Sequence, residues 1–600
     1  MTSTPDMDLW PIGNCQVAGL IDRSARLVWG CVPRFDGDPA FSSLLSGKDP
    51  SSDDAAGLWA IDLEDCVSID QEYVRNTAIL RSVLTDHHGN SVELIDFCPR
   101  FQRLGRTYRP VSFVRIVRPL SGSPRIRVRL RPTRNWGDPN VVRTSGSNHI
   151  RYLLEGVQLR LSTNAPVGLL QEERAFRVEK PLHFFLGPDE SFSGDIALSI
   201  EEMLRYTTQH WQEWTRGLAT PFEWQEVVIR CAITLKLCQY EETGAIVAAL
   251  TTSIPEHEGS ERNWDYRYCW IRDAYYTVQA LNRVGALDVL EGYLSYLRNI
   301  VDEAKGGMIQ PLYGVLGEPT LIERVAPRLA GYRGQGPVRV GNQAYEQIQH
   351  DAYGQIVLSN VQAFFDHRLF RIAGREDFES LERVGERAWE LYDKPDAGLW
   401  ELRTRQSVHT YSAAMCWAAC DRLANAAERL ELPERRDFWA DRADTMRAKI
   451  EQSAWREDTN RMSATFAGDD LDASLLQLLE LRFLSPDDPR FRGTLEATEQ
   501  GLRRGSHMLR YATEDDFGLP HTAFNVCTFW LIEALHFTGR NADARELFEE
   551  MLSRRTAAGL LSEDIDPASG ELWGNYPQTY SLVGMINCAV LLSQPWSAIR

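Results

Sequence analysis

The chain is poor in every feature that would tie it to a membrane, a nucleic acid or a metal. No apolar stretch reaches the ~20 residues that a membrane helix needs, and the start, MTSTPDMDLWPIGN, lacks a basic segment followed by an apolar run. Positive charge is in deficit. Lys and Arg number 65 against 84 Asp and Glu, a net charge of −19 that opposes binding to phosphate backbones or anionic lipid. The eleven cysteines are scattered and odd in number, with no Cys-x-x-Cys pair, so zinc and redox motifs lack support. Several, such as Cys231, Cys416, Cys527 and Cys588, sit in apolar runs, as buried reduced thiols do. P-loop glycines, an HExxH pair and a GxSxG beside a plausible triad are also missing. What is left is an ordinary globular composition over 600 residues, enough for two or more domains and a large core. The expected location is the cytoplasm, with no metal and no cofactor.

What is there divides in two. Up to about residue 205, short segments rich in Val, Ile and aromatics (Val92 to Phe97, Val111 to Val117, Ile126 to Leu130) alternate with turn pairs such as Gly89–Asn90 and Gly137–Asp138. This pattern predicts a β-sandwich over 1–205, followed by a helical linker over 206–224. From 225 to 600 the pattern is helical. Helices are expected at 225–240, 272–284, 286–303, 350–371, 377–393, 408–424, 433–454, 471–481, 489–503, 522–538, 541–554 and 577–593. Some are one-sided and heavily charged, such as NADARELFEEMLSR. Others, such as TAFNVCTFWLIEALHFT, are apolar nearly all round and must be buried. Outer helices alternating with inner ones describe two concentric rings, an (α/α)6 barrel.

The loops entering the inner helices are long and polar or aromatic: 241–271, 304–349, 394–407, 504–521 and 555–576. Long ordered loops are usually functional, and in such a barrel these gather at one end. The first carries ERNWDYRYCWIRD (Glu261 to Asp273), in which Trp264, Tyr266, Tyr268 and Trp270 stand among Arg262, Asp265, Arg267, Arg272 and Asp273. Flat rings with forked donors and acceptors suit a sugar, although the same residues read equally well as an aromatic core cluster. Asp273 is expected at a helix start, as a cap. Two other loops each carry a Glu, in GLWE (Glu401) and LLSEDIDP (Glu563). A carboxyl pair across a sugar pocket is the equipment of a glycosidase. One acid needs a raised pKa to protonate the leaving oxygen, and Trp400 beside Glu401 offers desolvation; the other must stay ionised. Arg510, before an inner helix, is a candidate clamp, and 336–342 a candidate binding loop.

These stretches resemble glycoside hydrolase family 15, the glucoamylase family, in its bacterial and archaeal branch. TTSIPEHEGSERNWDYRYCWIRDA is similar to that branch's signature, GLWELR to its general-acid segment, and LLSEDIDPASGELWGNYPQTYS to its general-base segment. DLWPIGNCQVAGLIDRSARLVWGCVPRFDGDPAF resembles the branch's trehalase-like β domain. The resemblance implies Glu401 as general acid and Glu563 as general base. It implies Arg272, Asp273 and Arg510 on the terminal glucose, Tyr266 near the reacting centre, and Trp270, Trp400 and Trp573 as walls. It also implies inversion, with carboxyls roughly 6.5–9.5 Å apart. Asp564 departs from the family, whose fungal members carry Gln there. The expected activity is exo-hydrolysis of an α-glucoside releasing β-glucose, with trehalose as substrate. The alternatives are glucoamylase-type hydrolysis of α-1,4- or α-1,6-glucosides, an inverting disaccharide phosphorylase, and a catalytically dead sugar-binding protein. The expected partner is a small α-glucoside, not nucleic acid or membrane, with homo-oligomerisation left open.

Overall fold

The computed structural model describes residues 5–599. Two antiparallel sheets build the N-terminal part. One runs from Trp10–Gly13 through Ala18–Ile21, Leu27–Val32, Leu58–Leu63 and Arg125–Arg131 to Phe176–Arg177, with Asp38–Phe41 on Leu27–Val32. The other has Phe113–Ser121 at its middle, flanked by Leu182–Pro188 and Ser91–Phe97. Period-two burial along Leu80–Asp86 is what a half-buried strand requires. Rings join the sheets: Trp59 of the first meets Phe184 of the second edge-on at 6.4 Å. Between them the buried Arg115 binds both oxygens of Asp96 and donates to the Trp59 carbonyl at 2.7 Å.

The connecting helix α1 (Ile196–Arg216) begins ten residues before the expected linker, capped by the Asp195 side chain on Leu198 N. There follow α2 (Gln225–Leu237), α3 (Ile271–Arg283), α4 (Leu287–Ala304), α5 (Asp351–Val361), α6 (Arg375–Leu391) and α7 (Thr410–Arg429). Then come α8 (Pro433–Ala454), α9 (Gln477–Glu480, after the 3-10 turn Ala473–Leu476), α10 (Pro489–Leu502), α11 (Asn525–Phe537), α12 (Asn541–Ser553) and α13 (Thr579–Leu592). Their contacts close a ring: α3 packs on α5, α5 on α7, α7 on α9, the turn before α9 on α11, α11 on α13, and α13 back on α3. The other helices pack outside this ring, α2 on α13, α4 on α3 and α8 on α7. Outer α8 buries only the stripe Trp439, Ala443, Met446, Ile450 and Ala454, whereas α13 is buried from Thr579 to Ile586 without a break.

Most expected helix ends move by up to three residues, and the helix expected over 471–481 is the 3-10 turn Ala473–Leu476 followed by the short α9; two further ends move more. Helix α5 stops at Val361 rather than 371 and tightens into the 3-10 turn Gln362–Phe364, after which Phe365 N and Asp366 N both bond the Gln362 carbonyl. Helix α7 continues to Arg429 rather than 424.

The two parts are joined through the aromatic signature. Asp265 and Arg267 form a fully buried pair at 2.7 Å. Arg267 then reaches into the β part, donating to Gly37 O at 2.8 Å and Phe35 O at 3.3 Å, 4.7 Å from the Trp136 ring centroid. Tyr576 OH donates to Leu9 O at 2.6 Å, and Trp29 Nε1 to Leu250 O at 2.8 Å. Arg267→Met is therefore expected to strand the Asp265 charge and cost about 3–5 kcal/mol. Urea unfolding checks this, and the double variant Asp265→Leu/Arg267→Met should recover part of the loss.

Candidate active site

The signature stretch meets both candidate glutamates. Cys269–Trp270 pairs with Leu312–Tyr313, which fixes the Trp270 backbone in an extended conformation immediately before α3. Trp270 Nε1 donates to Glu401 Oε1 at 2.6 Å, and Arg272 Nη2 to the same oxygen at 3.1 Å. Four residues before Trp270, Tyr266 OH donates to Glu563 Oε1 at 2.6 Å, and the two rings stand edge to face at 5.3 Å. Arg272 also binds Gln349 at 2.7 Å. Asp273 is the third residue of α3 rather than its cap, which is Trp270. Burial pushes its carboxyl up to about 7, helped by the Glu401 charge and opposed by Arg272.

Glu401 sits at φ +62°, a left-handed conformation worth ~1–3 kcal/mol of strain in a non-glycine residue. The turn holding it runs from Gly398, at φ +68°, where a Cβ would lie 2.8 Å from the His409 ring. Glu401 N bonds Gly398 O at 3.2 Å, and Gln347 Nε2 bonds Glu401 O at 3.0 Å. The side chain is 23% exposed into the cavity. Trp400 also lines the cavity, with its Nε1 on Asp472 Oδ2 at 2.7 Å.

Glu563 lies deeper. It is 1% exposed and does not line the cavity, which it meets through the Tyr266 hydroxyl. Its strand neighbour Asp564 pairs with Phe524 and with Trp573, and Asn525 N bonds Glu563 O at 2.9 Å. A Cβ at Gly574 would fall 2.7 Å from Glu563 Oε2, so glycine leaves the room this carboxyl occupies. Oxygens of Glu256, Glu563 and Asp564 lie within 4.8 Å of one another. Compensating charge comes from the buried Arg510, which binds Glu256 directly, and from Arg262, whose Nε lies 3.9 Å from the same carboxylate. Thr522 serves Asp564 at 3.1 Å. This is the one carboxyl group among the described residues whose spacing could admit a cation, and Arg510 already supplies positive charge there.

The electrostatics set burial against the ionised form expected of Glu563. Burial pushes the Glu563 carboxyl well above the usual carboxylate range, and the Glu256 charge pushes the same way. Tyr266, Arg510 and the Asn575 N–H only partly offset this. Asp564 is raised further, by burial and by both neighbouring glutamates. In the substrate-free protein the acid expected to stay ionised is thus one that burial favours as protonated.

Tyr266, Trp270, Arg272, Asp273, Trp400, Glu401 and Arg510 all line one cavity. Trp573 does not. Its ring faces Tyr332 at 6.2 Å and Arg333 at 5.1 Å, on the β-domain side, because Leu572–Trp573 pairs as an edge strand. The sequence reading missed Glu256, which binds Arg510 and accepts from Trp264 Nε1 at 3.2 Å. It stands inside the quoted signature, but nothing local separates it from Glu258 or Glu261.

A group that takes a proton from water works only when ionised, so activity should fall as pH drops through the pKa of this carboxyl cluster. Glu256→Gln removes the repulsion and should move the acidic limb of kcat/KM to lower pH. Arg510→Gln should move it to higher pH. A pH–rate profile of each variant checks the two opposite shifts.

The sequence pattern of the glycosyl hydrolases of family 15 matches residues 224–590, and that of the trehalase-like N-terminal domain matches residues 7–176. A trehalase of Thermoplasma volcanium is 31% identical, with 97% of this chain and 93% of the relative covered. A trehalase of Mycobacterium tuberculosis is 30% identical over 98% of this chain and 89% of its own. Among solved structures, a bacterial glucoamylase complexed with acarbose shares the fold at a TM-score of 0.67 and 14% identity, covering 98% of this chain and 94% of the other.

Proposed function

We propose, from the premise that this chain belongs to the glycosyl hydrolases of family 15, that this glycoside hydrolase cleaves α,α-trehalose with inversion. Full-length similarity to trehalases, spanning both the β part and the helical part, supports the substrate. The observation that carries the chemistry is that Tyr266 and Trp270 of one short segment each hold a different glutamate. Glu401, bordering the cavity, protonates the glycosidic oxygen. Glu563, oriented by Tyr266, takes a proton from the attacking water. Arg272 and Asp273, at the start of a buried helix, bind hydroxyls of the donor glucose, and Arg510 serves as a clamp once substrate competes for it.

The closed ring of helix contacts with a second layer outside supports reading the helical part as an (α/α)6 barrel, and the two facing sheets support a β-sandwich. We divide the chain into sandwich, connector and barrel near residues 205 and 224, with α1 spanning the first division. A cytoplasmic setting fits eleven free cysteines, ten of them buried. Among the described residues no helix is long and apolar enough to cross a membrane.

Inversion at one of trehalose's two identical centres releases one β-glucose from the attacked ring and one α-glucose as the leaving ring. Proton NMR of the first-formed products should therefore show equal amounts of both anomers, whereas two α-glucoses would mean retention. Glu401→Gln and Glu563→Gln are each expected to lower kcat by about 10²–10⁴, read by glucose release. A wild-type rate in either variant removes that residue from its role.

A further inference from the structure

The cavity has a deep end and a rim. Arg272, Asp273 and Tyr580 are nearly inaccessible, whereas Phe517 at the rim is 37% exposed. In an enzyme acting from the non-reducing end, the donor glucose takes the deep end and the leaving sugar lies towards the rim. One side of the cavity is lined by Asp515, Asp516 and Phe517, from a segment, 511–518, that is fastened at several points. Arg262 grips Asp515 with both Nη atoms, at 2.7 and 2.5 Å, and donates to Gly518 O at 3.0 Å. Tyr511 OH also binds Asp515. Asp516 accepts from the Arg403 N–H and the Thr404 N–H and hydroxyl, two and three residues past Glu401. Arg405 reaches the Glu514 carbonyl. Phe517 meets the Trp264 ring at 5.1 Å, and Arg403 lies 4.4 Å from that ring while pairing with Glu323 at 3.0 Å.

We propose that this strap, with Asp516 and Phe517 at its centre, is the specificity element that ends the cavity after a single leaving sugar. The inference rests on the hydrolase reading above. A strap tied only to its own loop would yield to a longer substrate. This one is bonded to the signature segment on one side and to the loop carrying Glu401 on the other. Pushing it aside therefore breaks the buried Arg262–Asp515 pair and pulls on the backbone that positions Glu401. A third sugar is rejected by the cost of disturbing the acid as well as by bulk.

The test keeps the linkage constant. Trehalose is compared with α-D-glucosyl α-maltoside, which is trehalose bearing one extra glucose on one ring, and with α-D-glucosyl fluoride, which carries no leaving sugar. In the wild type, kcat/KM for the trisaccharide should fall at least ~10-fold below that for trehalose. Phe517→Gly and Asp516→Ala, made separately, should each narrow that gap several-fold. Their kcat/KM on the fluoride should change less than on trehalose. A wild type that cleaves both glucosides equally well, or a trisaccharide-to-trehalose ratio unmoved in both variants, overturns the proposal. A wild type without turnover on trehalose defeats the trehalose reading instead, so the two failures are distinct.

Discussion

The Asp265–Arg267 pair holds the molecule's two halves in register. Both side chains are inaccessible to water, and each is saturated by partners from a different segment: Asp265 by Gly341 N and Arg267, Arg267 by two carbonyls of the β part. A buried pair of this kind adds little net stability over an apolar substitute, but breaking it is costly. Its value here is positional. Tyr266 lies between the two charged residues, and Trp270 and Arg272 follow within five residues, so the alignment of both glutamates depends on where this pair is anchored. The β part thereby acts as a brace for the site.

The site itself concentrates negative charge. Glu256, Glu563 and Asp564 share a volume into which the Arg510 guanidinium projects, with Arg262 Nε 3.9 Å from Glu256. Burial there disfavours the charged forms of Glu563 and Asp564, and their like-charged neighbours push the same way. Glu401, by contrast, borders the cavity and accepts two N–H donors. The two candidate catalytic carboxyls thus differ in environment, one partly solvated and donor-rich, the other desolvated and crowded by like charge.

Much of the fold was legible because helical periodicity is a local signal. The outer helices declared themselves by one-sided charge and the inner ones by unbroken apolarity, and the structure moves most of their ends by only a few residues. The exceptions are instructive: α5 ends where two backbone amides converge on Gln362, a turn that no periodicity announces. Seven of the nine candidate site residues line the cavity. Glu563 stands behind it, and Trp573 turns away because strand pairing dictates its side.

By itself the sequence determined most of the element types and the long loops entering buried helices, and it singled out two candidate acids through motifs that fall within single segments. Tertiary structure alone decided the left-handed backbone at Glu401, the seclusion of Glu563, the part played by Glu256, and the strap over the rim. The physical reason is range. Periodicity and capping act over a few residues, whereas desolvation and Coulomb forces sum over whatever the fold brings near. The charges around Glu563 come from positions 256, 510 and 564, and no local pattern contains them together.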